Sequence, residues 1–61
     1  MNPSELATVK RAIQMLGFGG KTHLTRHEID RLVQELSASR EYKLADYVRS
    51  MDPAAVANLL R

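Results

Sequence analysis

The sequence predicts an all-α fold, a compact bundle of four short helices forming one domain over residues 1–61. Three observations predict it. Apolar residues recur at intervals of three and four along most of the chain, the spacing of one helical face. Helix-start signals stand ahead of those stripes, and the segments between them are too short to hold strands.

From Asn2 to Leu16 the stripe is Leu6, Val9, Ile13 and Leu16. Asn2 is the expected N-cap, Pro3 suits the first turn, and Glu5 stands three places after the cap. Gly17, Gly19 and Gly20 are expected to stop this helix, since glycine takes the left-handed conformation that closes a final turn. Phe18 is expected to fold back onto the core.

The second helix carries the most explicit start. Thr25 and Glu28 make a capping box, with Leu24 and Ile29 as a hydrophobic staple. Ile29, Leu32, Val33 and Leu36 form its apolar face, and Ser37-Ala38-Ser39 ends it. Leu44, Ala45, Tyr47, Val48 and Met51 outline a third helix expected to begin near Ser39 or Arg40. Asp52 followed by Pro53 repeats the cap-then-proline opening, so a short fourth helix is expected from Pro53 to Arg61, with Val56, Leu59 and Leu60 turned inward.

Composition narrows function. A chain of 61 residues is near the lower limit for a core unsupported by disulfide, metal or partner, and it has no cysteine. The formal charge of +2 is too mild to argue for nucleic acid by itself. The amino terminus lacks the order of a signal peptide, and no apolar run approaches a membrane span, so a cytoplasmic location and no membrane contact are expected.

The stretch "LGFGGKTHLTRHE", residues 16–28, holds all the glycine and both histidines. Gly20-Lys21-Thr22 looks like the end of a phosphate loop, but the first glycine position is Met15 and a helix, not a strand, precedes it. His23 and His27 are four apart, yet His23 precedes the helix cap, and the glutamate of "HLTRHE" follows the second histidine where a zinc peptidase needs it after the first. No cofactor or metal is therefore expected. The serines sit near helix ends and no carboxylate pair is placed in a pocket, so no catalytic residue is assigned and an enzyme is not expected.

Binding remains. Met15, Phe18, Tyr42, Tyr47, Met51 and Leu60 are the candidate partner-binding residues, because aromatic side chains and methionine are enriched at interfaces. They point to a small interaction or regulatory module, an adaptor or inhibitor of a larger protein, with a homodimer as one form of association. The alternative is a small DNA-binding regulator, dimeric, that would use Lys21, Arg26, His27 and Arg31 at the start of the second helix. Glu28, Asp30 and Glu35 interleave with that cluster, and Arg31 is spaced to pair with Glu28 or Glu35.

Two phrases resemble known families. "MLGFGG" with the later "DPAAVANLLR" is similar to the first-loop and last-helix signatures of ubiquitin-associated domains, with a whole helix too many between them. "LADYVRSMDPAAVANLLR" resembles helical repeats of flagellar-motor and magnesium-transporter cytoplasmic domains over one helix pair. Such phrases are common, and no family is assigned on them.

The cap at Thr25 is directly testable. Thr25→Ala is expected to destabilise the protein by about 1 kcal/mol, read as a lower urea midpoint at unchanged slope. An unshifted midpoint would remove the helix start from this position.

Overall fold

In the computed structural model, which describes residues 1–61, each helix but one begins at a side-chain cap. The first, α1 (Pro3–Met15), starts at Asn2, whose Oδ1 accepts from the Glu5 amide at 2.8 Å while Glu5 Oε1 accepts from the Asn2 amide at 3.1 Å. The second, α2 (Arg26–Ala38), repeats this capping box with Thr25 and Glu28. The fourth, α4 (Pro53–Leu59), starts at Asp52, whose carboxylate accepts from the Ala55 amide at 2.8 Å.

The exception is α3 (Tyr42–Ser50), whose cap position, Glu41, makes no side-chain bond. It starts at Tyr42, later than the expected Ser39 or Arg40, because the end of α2 consumes those residues. Likewise α4 ends at Leu59, not Arg61. No strand forms, and the fold is all-α with four helices.

Two turns end their helices in the same way. After α1 the Phe18 amide donates to the Ile13 carbonyl at 2.9 Å and the Gly17 amide to the Gln14 carbonyl at 3.0 Å. After α2 the Glu41 amide donates to Leu36 at 2.8 Å and the Arg40 amide to Ser37 at 3.0 Å. Both are Schellman closures, which need a left-handed residue at the turn. Gly17 supplies it at φ 80°, and it is the one glycine of the three to do so. In the second turn that position is Arg40, at φ 64°. A side chain there costs about 1–2 kcal/mol that glycine avoids.

The core is thirteen buried residues, all apolar. From α2 it takes Ile29, Leu32, Val33 and Leu36, the expected face. From α1 it takes Val9, Ala12 and Ile13, from α3 Leu44, Ala45 and Val48, and from α4 Val56. The loop adds Phe18 and Leu24. Leu24 and Ile29, the expected staple, are both fully buried. The other three helices all pack on α2, most extensively α3, which returns antiparallel to it across the short turn at residues 39–41.

The single chain buries this core to an extent ordinary for its size. Its surface is 4108 Å² for 6.9 kDa, and a folded monomer of that mass exposes about 4000 Å². Neither the area nor the core requires a second copy. No helix is long and apolar enough to cross a membrane.

The two closures should respond oppositely to substitution. Gly17→Ala is expected to destabilise the protein by about 1 kcal/mol. Arg40→Gly is expected to stabilise it by about 0.5 kcal/mol, the relieved strain exceeding the added unfolded-state freedom of glycine. Urea midpoints at constant slope read both, and equal signs would contradict the left-handed assignment at one of the two turns.

Candidate functional site

Between α1 and α2 the chain is organised by one carboxylate. Glu28 Oε1 accepts from the Thr25 amide at 2.9 Å, and Glu28 Oε2 pairs with Lys21 Nζ at 2.9 Å. The lysine of the Gly-Lys-Thr triplet therefore turns back to the protein's own helix start, where a phosphate would otherwise be attracted. The Thr25 amide, together with Lys21, holds the Glu28 carboxyl down at about 2, below its ordinary 4.5. Partial burial opposes that shift without cancelling it.

Phe18 completes the arrangement. Its ring is buried, and both Lys21 Nζ and the Arg31 guanidinium lie 5.8 Å from its centroid, within cation–π range. The expected pairing of Arg31 with Glu28 or Glu35 does not form, because Glu28 is taken by Lys21 and Arg31 turns to the ring.

Arg26 is tied elsewhere. Its guanidinium donates to the Arg49 carbonyl at 3.2 Å and to the Met51 carbonyl at 3.5 Å, and its Nε lies 3.8 Å from the Asp30 carboxylate. It thus satisfies carbonyls that the end of α3 leaves without helical partners. His27 is exposed and borders an open depression formed with residues 20–23, Thr25 and Glu28, none of them a hydrophobic residue. His23 Nδ1 meets Thr22 Oγ1 at 3.3 Å. No three metal-ligating side chains gather here or elsewhere. Of the four candidate nucleic-acid residues, Lys21, Arg26 and Arg31 have intramolecular partners and His27 has none.

The six candidate partner-binding residues separate into three groups. Phe18 is 5 % exposed and belongs to the core, so the fold itself accounts for it. Met51 and Leu60 are half-buried against the core. Met15, Tyr42 and Tyr47 are 68, 62 and 50 % exposed, and neither tyrosine hydroxyl has a hydrogen-bond partner within the chain. Tyr42 and Tyr47 are five apart on α3, so they diverge around the helix and do not share a face.

Met15 does have neighbours. It lines a depression of about 180 Å³ between α1 and the α2–α3 turn, with Thr8, Arg11 and Ala12 on one wall and Glu35, Leu36, Ser39 and Glu41 on the other. Arg40 lies within that turn, and Tyr42 follows it directly. The sequence spacing puts Arg40 near the start of α3, whereas it occupies the left-handed position of the turn before it. The signal was available: α2 ends in "SASRE" with no glycine, so a Schellman closure there had to place another residue in the left-handed position.

No family model, curated protein or solved structure matches this chain.

The Glu28 carboxylate predicts a pH dependence. Its folded-state value lies below the ordinary one, so its contribution to stability is complete above 4.5 and is lost progressively as pH falls toward about 2. Urea midpoints measured across that window should fall with pH in the wild type. In Glu28→Gln the fall should be shallower, and identical slopes in the two proteins would exclude Glu28 as a source.

Proposed function

We propose that this chain is a protein-interaction module, a regulatory adaptor or inhibitor of a larger protein, with a contact surface around Met15, Arg40 and Tyr42. The observation that carries the reading is the turn at Arg40. An exposed side chain stands at a left-handed position where glycine is favoured, in the turn whose Ser39 and Glu41 line the same depression as Met15 and which leads into Tyr42 at the start of α3. Backbone strain held at an exposed turn motivates a functional reading.

The chemistry of the three residues supports it. Tyrosine and arginine dominate the energetic centres of protein interfaces, and methionine adapts to irregular surfaces. None of the three is needed to close the core. Met15 and Tyr42 thus differ from Phe18, which the core requires.

A DNA-binding regulator is the competing reading. It needs Lys21, Arg26 and Arg31 free to meet phosphates, and releasing them would break the Glu28 pair, the carbonyl contacts of α3 and the Phe18 contacts. The same cations cannot hold the loop and neutralise a backbone at full strength.

Photocrosslinking in the source cells tests the proposal. A photoreactive phenylalanine analogue at position 15 or 42 is expected to give one predominant protein adduct of the same mass, absent when the analogue replaces exposed Gln34. Tyr42→Ala should weaken binding of the isolated partner by about tenfold or more without lowering the urea midpoint. Equal adducts at all three positions would overturn the surface. Sequence-selective duplex binding at physiological salt, weakened by Arg26→Ala in a fluorescence-anisotropy titration, would establish the DNA reading instead.

A further inference from the structure

The two walls of the depression beside Met15 carry opposite charge. Arg11 stands on the α1 wall, and Glu35 and Glu41 stand on the wall made by the end of α2 and its turn. None of the three is neutralised within the chain, whose ion pairs are Lys21–Glu28, Arg26–Asp30 and Arg49–Asp46. Of the apolar residues that line the depression, Ala12 and Leu36 belong to the buried core, and Met15 is the exposed one.

That arrangement restricts the occupant. A small ligand of one charge is drawn to one wall and repelled by the other, and about 180 Å³ is below the roughly 300–1,000 Å³ that encloses a drug-sized molecule. A second copy of the chain satisfies both walls. With a two-fold axis running along the depression in the plane of contact, the α1 wall of each copy lies against the acidic wall of the other. Arg11 then faces Glu35 and Glu41 twice over, and each Met15 comes against the other copy's turn and leaves water. Turned the other way, carboxylates meet carboxylates and Arg11 meets Arg11, so charge selects one register. Arg11 and Arg40 together balance Glu35 and Glu41, so the patch has no net charge to drive two copies apart.

We propose that two copies of this chain associate through this depression as an isologous dimer. Met15 supplies the apolar anchor, and the two sets of Arg11 contacts fix the register. The walls are short, one end of α1 and one turn, so each copy contributes less than the about 800 Å² of a standard interface. The association is therefore weak, in keeping with a core that one chain already buries. The dimer does not rest on the reading of this face as a site for a larger partner; where both contacts form, they compete for it.

Sedimentation equilibrium on the purified 61-residue protein is the test, carried up to about 1 mM, the scale of weak association. The wild type should approach the mass of a dimer. Arg11→Glu should weaken the dimer by at least about tenfold, and so should Glu35→Arg combined with Glu41→Arg, since each sets like charges on facing walls. An equimolar mixture of these two variants should associate again, because each carries the complement of the other at both contacts. Lys10→Glu, on α1 but outside the depression, should leave the dimer intact. Urea midpoints establish that each variant is folded. The proposal is overturned if the wild type stays monomeric throughout, if the mixture does not recover, or if Lys10→Glu matches the loss at Arg11. The measurement needs no partner, so the dimer can fail while a larger protein still crosslinks at position 15, and the reverse.

Discussion

The apolar face of α2 is the constraint on which everything else rests. Ile29, Leu32 and Leu36 are all but inaccessible to solvent, and each of the other helices packs against the helix that carries them. Burying a side chain of that size contributes about 1.5–3 kcal/mol. A domain of this length has a total stability of only about 3–9 kcal/mol. The fold therefore has little tolerance for misplacing α2, and its start is fixed by more interactions than any other.

That requirement explains the loop before it. Thr25 and Glu28 exchange two hydrogen bonds at the helix start, Leu24 anchors the chain just ahead of it, and Lys21 adds an ion pair to the same carboxylate. Phe18, drawn inward by the closure of α1, brings Lys21 and Arg31 to its ring. Side chains that look in sequence like a phosphate loop and a basic patch are here mostly parts of a brace. Arg26 extends the brace across the αα-hairpin to the end of α3.

With that side of the molecule committed to structure, the chemistry left for partners lies elsewhere. The α2–α3 turn and the end of α1 present a methionine, an arginine and a tyrosine. The body that carries them measures about 25 × 23 × 20 Å.

Sequence by itself determined the local architecture. The caps at Asn2, Thr25 and Asp52, the apolar face of α2, the inward turn of Phe18 and the left-handed role of Gly17 were all legible. Each depends on residues within about five positions of one another, so the interaction is written where the chain itself brings its partners together. The start of α3 was misplaced because no side chain caps it, and it is set by how the end of α2 closes. Tertiary structure alone decided what the charges are for. Arg26 meets carbonyls 23 and 25 residues away, Arg31 chooses a ring over two correctly spaced glutamates, and Lys10 comes beside Arg61. Long side chains reach whatever packing brings near, and at an exposed site the alternatives differ by only a few tenths of a kcal/mol or about 1 at most. Spacing along a helix cannot rank choices that close, whereas the positions of neighbouring helices can.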